Sequence, residues 1–268
     1  MDNKIKKINQ FIKYTGSKRI LAPEILSYFP KKIDIMIEPF CGSASLSLTM
    51  IANNWDVNKY IVSDNNIHVV NLLKLCQSQP FHLINTYEKF WNEFNSDKNN
   101  IIEKRKEIYL KKREQFNSYF KPEDFFCIIQ TCVNGLIRFN SFGKFNVSCH
   151  FSRPGMNPKT ISKYILENSQ RLKNIEIKHQ SYHEYIGNEG FFFIDPPYFE
   201  SSSLYNGSFD HNNFFNWLKN VNSFAMTMDE GLNIEGLKHV DLKKLNSSHT
   251  QVTAGKVSYF SERLFLNY

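Results

Sequence analysis

The sequence lacks the features of secreted, membrane and metal-stapled proteins. It has only five cysteines among 268 residues, an odd number with no Cys-x-x-Cys pair, which argues against a disulfide framework and a four-ligand zinc site. No apolar run approaches the length of a transmembrane span, and residues 1–10 lack the apolar core of a signal peptide. We therefore expect a cytoplasmic chain with reduced cysteines, no membrane contact and no metal site.

Glycine is also sparse. There are 11 glycines, and the Gly-x-Gly-x-x-Gly pattern of dinucleotide-binding enzymes is missing, which disfavours a nicotinamide enzyme. The chain is instead rich in positive charge and aromatic side chains, with a formal net charge of +7 and 15% Phe, Tyr and Trp. A basic chain without a basic tail indicates a polyanionic partner bound to a folded surface, although the charge alone fits a solvated face equally well.

Two parts of the chain alternate between helical and strand patterns, as α/β proteins do. In the first part, the spacing of apolar residues predicts helices at 17–28, 44–53 and 67–76, and strands at 33–37 and 60–63. The second part, from residue 173 onward, predicts strands at 191–194, 223–228 and 263–268 and a helix at 211–220. The apolar run at 33–37 is typical of a parallel strand that is buried on both faces.

Residues 79–172 interrupt this alternation. They are charged and aromatic, with helical patterns at 82–118 and 122–133. A hairpin-like segment follows at 136–152, with a plausible turn at Gly143 and Lys144. The sequence therefore predicts an α/β domain with a mostly helical inserted domain that carries a β-hairpin.

The sharpest local motif is the end of the strand at 191–194, which runs into Asp195, Pro196, Pro197 and Tyr198. Ligands of open α/β sheets bind at the carboxyl ends of the strands. Because proline fixes φ and donates no hydrogen bond, the Asp195 carboxylate and the Pro196 carbonyl can accept from the same ligand. Two acceptors beside the flat ring of Tyr198 suit a planar exocyclic amine such as N6 of adenine. An isolated Asp-Pro would be an ordinary strand end.

Two further segments complete the candidate site. The strand at 33–37 runs into a loop in which Gly42 permits a tight turn and close approach of a ligand. Asp64 ends the next strand, where it can accept hydrogen bonds from both hydroxyls of a ribose, cap the following helix, or do both. The third segment, Lys-Tyr-Thr-Gly-Ser-Lys at 13–18, precedes the first strand and taken alone fits a basic helix cap.

Together these segments resemble the D12-class, or alpha-group, adenine-N6 DNA methyltransferases, and among them the Dam-like enzymes. The resemblance is carried, in the family's order, by residues 13–18, 38–42, 64 and 195–198. It covers nearly the whole chain, and the tail from residue 229 matches poorly. The resemblance implies a Rossmann-like sheet that binds S-adenosylmethionine (SAM), formed by residues 1–78 and 173–268, with a target-recognition domain at 79–172.

The family's chemistry is methyl transfer from SAM to N6 of an adenine flipped out of duplex DNA, at a specific site. The resemblance implies a catalytic role for Asp195, Pro196, Pro197 and Tyr198. The cofactor-binding residues that it implies are Tyr14, Lys18, Glu38, Phe40, Gly42, Asp64, Tyr182 and Asp195. The sulfonium is a good leaving group, so this chemistry needs no metal.

The predicted hairpin resembles the part of these enzymes that enters DNA. Residues 134–140 and 143–147 are similar to the family's Asn-Gly-Leu-x-Arg-Tyr-Asn hairpin, and the implied DNA-binding residues are Lys13, Asn134, Arg138, Asn140, Lys144 and Asn146. Arg138 can pair with a guanine edge, contact a phosphate or form a surface ion pair, and the resemblance favours the guanine edge. Ser148 follows Val147 where GATC-specific relatives have proline, which argues against GATC itself and leaves a GATC-like target.

The expected partner is double-stranded DNA, in a bacterial cell or a phage-infected host. We expect a monomer, and a cognate restriction endonuclease would act on the same site without direct contact. Two alternatives stay open: a non-catalytic DNA-binding regulator on the same fold, and an amino-methyltransferase that acts on cytosine N4 or on RNA. The complete Asp-Pro-Pro-Tyr motif, in place of Ser-Pro-Pro-Tyr, argues against both.

Overall fold

A central β-sheet organises the chain. The computed structural model describes residues 5–187, 189–198, 209–243, 245–246 and 259–268, with the backbone alone for 245–246 and 259–260. The strands within these ranges are β1 (Lys32–Glu38), β2 (Asp56–Asp64), β3 (Ile175–His179), β4 (Phe191–Ile194), β5 (Phe224–Asp229), β6 (Lys238–Asp241), β7 (Leu245–Asn246), β8 (Tyr259–Phe260) and β9 (Glu262–Asn267).

The main sheet has the strand order β3-β2-β1-β4-β5-β9-β6, and β7 pairs with β8 separately. The pairs from β3 to β5 are parallel, whereas β9 is antiparallel to both β5 and β6. The chain leaves β1 toward β2 and returns on the other side as β4, so the strand order reverses between β1 and β4. Ligands of such Rossmann-like sheets bind at this reversal, outside the carboxyl ends of the strands. The predicted α/β fold is confirmed.

Helices cover the sheet and build the insertion. They are α1 (Ala22–Leu26), α2 (Ser45–Ala52), α3 (Ile67–Ser78), α4 (Pro80–Phe94), α5 (Ile101–Tyr119), α6 (Pro122–Thr131), α7 (Pro158–Leu172) and α8 (His211–Leu218). Within the described residues, no helix is both long and apolar enough to cross a membrane.

The insertion and the sheet share one hydrophobic core. In α4, Leu83, Tyr87, Phe90 and Phe94 recur at helical spacing and are buried. They belong to the same cluster as Val62 of β2. Helices α3, α4 and α6 pack on one another, and α7 packs on α2, α3 and α4. The division into one domain of residues 1–78 and 173–268 and a second domain of residues 79–172 stays a prediction. Residues 1–4 and parts of 173–268 lie outside the described residues.

Several boundaries differ from the predictions for local reasons. The helix predicted at 17–28 is only Ala22–Leu26, because the residues before it form turns around Gly16, whose φ is +81°. The stretch 82–118 is two helices, separated where Asp97 Oδ1 accepts from the backbone N–H groups of Asn99 and Asn100. Helix α7 and strand β3 were not predicted.

The predicted hairpin is present as a loosely paired loop. Cys132 pairs with Cys149 and Phe139 with Phe145, each as an isolated antiparallel bridge. The turn lies slightly earlier than predicted, since Gly143 N donates to Asn140 O (2.9 Å).

Candidate active site

The carboxyl ends of β1 and β2 are joined by the Asp64 side chain. Asp64 Oδ2 accepts from Gly42 N (2.8 Å), and Oδ1 accepts from Asn66 N (2.8 Å). Burial raises the pKa of Asp64, and these backbone hydrogen bonds oppose the rise. The side chain that caps α3 is that of Asn66, which accepts from His68 N and Val69 N. Each Asp64 oxygen keeps a lone pair, so the carboxylate can build the loop and still accept from a ribose hydroxyl.

Gly42 allows an aromatic ring to lie directly on this loop. Its φ is +47°, and a Cβ at this position would lie 2.8 Å from Tyr14 Cε1. A side chain here would force the Tyr14 ring to shift, so both the backbone conformation and this contact favour the predicted glycine. The segment 13–18 is thereby held against the end of β1.

Asp195 lies at the carboxyl end of β4, and its orientation is fixed through one oxygen. Oδ1 accepts from Thr227 Oγ1 (2.7 Å) and Tyr198 OH (3.2 Å), and it forms an ion pair with Lys18 Nζ (2.8 Å). Among the described residues these contacts all go to Oδ1 and none to Oδ2. The side chain is 18% exposed, so the second oxygen can accept from a ligand.

Lys18 is buried behind Asp195. Its side chain is 4% exposed, and Nζ also lies 3.2 Å from Glu262 Oε1 and donates to Gly16 O (3.0 Å). Desolvation is the largest single effect and lowers the pKa of Lys18. The attraction of Asp195 and Glu262 and their hydrogen bonds together outweigh it, so the net effect raises that pKa. Lys18 was predicted to bind the cofactor; the structure places its ammonium against the carboxylate of the Asp-Pro-Pro-Tyr motif.

The rest of that motif is also built into the core. Tyr198 is 8% exposed, and its ring lies 5.1 Å from Lys18 Nζ. Burial raises the pKa of the Tyr198 hydroxyl, and the nearby charge of Asp195 adds to the effect. His211 Nε2 lies 3.2 Å from Pro197 O, which ties the start of α8 to the motif. The stacking role of Tyr198 stays a prediction.

Glu38 ends β1 with a buried carboxyl group. Its Oε2 accepts from the N–H and the hydroxyl of Ser47 in α2. Burial raises the pKa of Glu38 to about 8, although the Ser47 bonds oppose the rise. Glu38 is 3% exposed, so its most direct role is to anchor α2 behind the Gly42 loop. Its predicted contact with the cofactor stays a prediction.

Phe40 and Tyr182, both predicted at the cofactor site, lie together. Their rings stack with centroids 5.2 Å apart and planes 25° apart. Phe40 follows β1, and Tyr182 lies in a short 3₁₀ turn after β3, so the sheet brings together residues far apart in sequence. This aromatic pair provides a flat apolar surface beside the Gly42 loop.

Lys13 lies on the neighbouring surface, at the base of the hairpin. Its Nζ donates to Gln130 O (2.8 Å), and desolvation lowers its pKa, with a smaller contribution from the repulsion of Arg153. A Cβ on Gly135 would lie 2.8 Å from Lys13 Cβ, so the hairpin base packs tightly on this side chain. Lys13, Asn134, His150 and Arg153 line an open cleft of about 630 Å³.

The hairpin itself presents charge around a defined turn. Asn140 Oδ1 accepts from the backbone N–H groups of Phe142 and Lys144 (both 3.0 Å), so Asn140 shapes the turn. Arg138 Nε donates to Asn146 Oδ1 (2.9 Å) across the hairpin. Phe142 stands at the tip with 84% of its surface exposed. Arg138 and Lys144 are exposed beside it.

Sequence reasoning missed two residues of the Asp195 cluster. Ile194 pairs with Met226 and Asp229 with Glu262, and this register carries Thr227 and Glu262 to Asp195. Thr227 lies inside a strand that was predicted, but its neighbour in the sheet was not. Glu262 is the first residue of β9. Its one signal in the sequence is its place as an acidic residue just before an apolar run.

Comparison with known proteins identifies the family. Residues 14–250 match the family model of the D12 class N6 adenine-specific DNA methyltransferases. The chain is 32% identical over 207 residues to the Type II methyltransferase M.MjaIII of Methanocaldococcus jannaschii, covering 71% of this chain and 69% of that protein. It is 27% identical over 206 residues to the DNA adenine methylase of Vibrio cholerae (75% and 69% covered). The Haemophilus influenzae DNA adenine methylase is 28% identical over 192 residues (70% and 63% covered). The chain thus belongs to the D12 class of N6 adenine-specific DNA methyltransferases.

Proposed function

We propose that the chain transfers a methyl group from SAM to N6 of an adenine that is flipped out of duplex DNA. The observation that carries the proposal is Asp195, which is fixed at the carboxyl end of β4 through Oδ1. Its second oxygen is the one acceptor of this carboxylate that the cluster leaves for a substrate. The Pro196 carbonyl is the natural second acceptor, since it follows directly in the chain.

The two acceptors address the weakness of adenine N6 as a nucleophile. The nitrogen lone pair is delocalised into the ring, so the amine is planar and reacts poorly. Hydrogen bonds from its two protons to Asp195 Oδ2 and Pro196 O hold it in position and favour tetrahedral geometry. This is catalysis by positioning and electrostatic stabilisation. After the N–CH₃ bond has formed and the sulfur has left as a neutral thioether, the positively charged N6 releases one proton to water.

The residues near the Gly42 loop fit SAM. Asp64 has lone pairs for the ribose hydroxyls, and the stacked Phe40 and Tyr182 offer an aromatic surface for the adenine of the cofactor. The carboxylates of Asp64 at the end of β2 and Asp195 at the end of β4 suit a sulfonium cation. When bound, SAM supplies an electrophilic methyl group on a sulfur that leaves as a neutral thioether.

The surface around the hairpin supports duplex DNA as the substrate. Arg138, Lys144, Lys13 and Arg153 are basic, and the exposed ring of Phe142 lies between the first two in sequence. Proteins that act on a base inside a duplex must first extrude it, and apolar side chains flanked by cations are common at such distorted steps. We propose that this face binds the duplex and delivers the adenine to Asp195.

The target sequence, the partner endonuclease and the oligomeric state belong to the same proposal. The target is GATC-like or a different short sequence, and sequencing the methylated sites of a randomised duplex pool measures which. A cognate endonuclease would cleave that site without binding this chain, which we propose acts as a monomer. Relatives named Type II methyltransferase support a role in restriction-modification.

Transfer of tritium from labelled SAM to duplex DNA tests the proposal. We expect the wild-type chain to transfer label to DNA. Asp195→Ala should lower the rate by about 10²–10³-fold or more, as removal of a group aimed at the reacting atoms does. The matched control is Asp34→Ala, which removes an exposed carboxylate from the opposite end of β1 and should leave the rate unchanged. Activity of Asp195→Ala above a tenth of wild type would contradict the proposal.

A further inference from the structure

Lys18 and Glu262 form a buried ion pair behind Asp195, the proposed acceptor. Lysine offers three N–H bonds, and those of Lys18 are directed at Asp195 Oδ1 (2.8 Å), Glu262 Oε1 (3.2 Å) and Gly16 O (3.0 Å). No donor is left over for a cofactor. The ammonium is therefore committed to holding two carboxylates.

Glu262 reaches this position from the far end of the chain. It opens β9 and pairs with Asp229 of β5, and it is 3% exposed. The family model ends at residue 250, so Glu262 lies outside the matched region. Its Oε2 has no hydrogen-bond partner among the described residues, which makes Glu262 an incompletely paired buried carboxylate.

Stability alone is a poor explanation for this cluster. Buried ion pairs lose much of their attraction to desolvation, and well-packed apolar residues often replace them without loss of stability. The cluster also contacts the one carboxylate oxygen that the substrate does not need. An arrangement that fixes Oδ1 leaves Oδ2 in a single orientation toward the amine.

We propose that Lys18 and Glu262 are positioning residues, which set the orientation and the charge of the Asp195 carboxylate for methyl transfer. Lys18 neutralises part of the carboxylate charge and locks its rotation. Glu262 holds Lys18 in place and adds a negative charge that offsets part of the Lys18 charge, so that Asp195 remains a strong acceptor. This inference rests on the proposed methyl transfer and goes beyond it by adding a residue of the C-terminal strand.

The charged and titratable groups that face Asp195 define the expected pH behaviour. Among the residues that the structure describes, these are Lys18 from the segment before α1, Glu262 from β9, Tyr198 from the loop after β4, and Glu38 at the end of β1. Removal of the Lys18 cation disfavours the ionised carboxylate, whereas removal of the Glu262 charge favours it. The two variants must therefore shift the pH dependence in opposite directions.

The test measures the single-turnover rate of methyl transfer against pH, with SAM affinity by calorimetry, for the full chain. We expect Lys18→Met to slow transfer about 100-fold, as for a misplaced reacting group. It should move the acidic limb of the pH profile to higher pH. Glu262→Gln should slow transfer less and move that limb to lower pH. Both variants should bind SAM as tightly as wild type.

The matched control is Lys112→Met, which removes a partly buried lysine paired with Asp124 (2.9 Å) in the insertion. Lys112→Met should change neither the rate of methyl transfer nor the position of the acidic limb of the pH profile. If Lys18→Met does not fold, the isosteric Glu262→Gln decides alone, and a rate loss without a shift of its acidic limb to lower pH would overturn the inference. Rate losses without opposite shifts of the limb, or an equal loss of SAM affinity, would overturn the inference. A wild-type chain that transfers no methyl group to DNA would instead refute the proposed function itself.

Discussion

Arg138 is expected to read a base, and its geometry makes the expectation testable. Nε donates to Asn146 Oδ1 (2.9 Å), and Asn146 N donates back to Arg138 O (3.2 Å). The bond from Nε fixes the guanidinium plane across the hairpin, and the two terminal nitrogens form no hydrogen bond to any residue that the structure describes. This is the fork that pairs with O6 and N7 of guanine in the major groove.

The expected size of the effect follows from that pairing. A bidentate arginine–guanine pair discriminates by about 1–3 kcal/mol, or about 5- to 150-fold between the correct base and another. Arg138→Ala should therefore make one position of the target degenerate while the others hold. A phosphate contact would weaken all sequences alike and reduce the salt slope by about one.

Methylation of a randomised duplex pool, followed by sequencing of the modified sites, separates these outcomes. Asn146→Ala should relax the same position more weakly, because it only releases the guanidinium. Lys144→Ala is the matched control on the same hairpin, since its flexible ammonium lacks the planar fork. If every position holds in Arg138→Ala and only the salt dependence changes, Arg138 contacts the backbone and the hairpin is not the reader.

Three further substitutions test the cofactor side. Asp64→Ala should weaken SAM binding by about 1.5–3 kcal/mol in calorimetry and leave DNA affinity unchanged; equal SAM affinity would restrict Asp64 to loop building. Gly143→Ala, at a site with open space, should destabilise the chain by about 1–2 kcal/mol through backbone strain alone. Gly42→Ala should destabilise it more, because a φ of +47° is combined there with a 2.8 Å contact between the new Cβ and Tyr14. Equal denaturation midpoints for these two would contradict the packing. Burial raises the pKa of Glu38 to about 8, so the folded chain binds a proton that the unfolded chain releases, and wild-type stability should fall as pH rises from about 4.5 to 8. Glu38→Gln should lack the part of this fall in stability that Glu38 causes. If the stabilities of wild type and variant change in parallel with pH, the raised pKa of Glu38 is refuted.

The sequence predicted the parts of the site that are local. The apolar run at 191–194 followed by Asp195 identified both a strand and its functional end, because buried parallel strands are continuous hydrophobic runs. Gly42 was identified from its place in the loop, and the structure adds its reason, the contact with Tyr14. In each case the residue could be recognised from its immediate neighbours in the sequence.

The parts that sequence reasoning missed depend on register between distant strands. Thr227 and Glu262 reach Asp195 only because β5 pairs with β4 and β9 with β5, and neither pairing leaves a local pattern. Helix α7 was different, since Asn157 caps it, Pro158 follows, and Ile161 and Ile165 recur at helical spacing. That signal was in the sequence and was overlooked beside the hairpin.

The most direct test of the account is the identity of the methylated nucleoside. Duplex DNA is incubated with the wild-type chain and isotopically labelled SAM, digested to nucleosides and analysed by mass spectrometry. We predict label in N6-methyldeoxyadenosine alone, and none with Asp195→Ala. Label in N4-methyldeoxycytidine, or no labelled nucleoside from DNA with a chain that binds SAM, would contradict it.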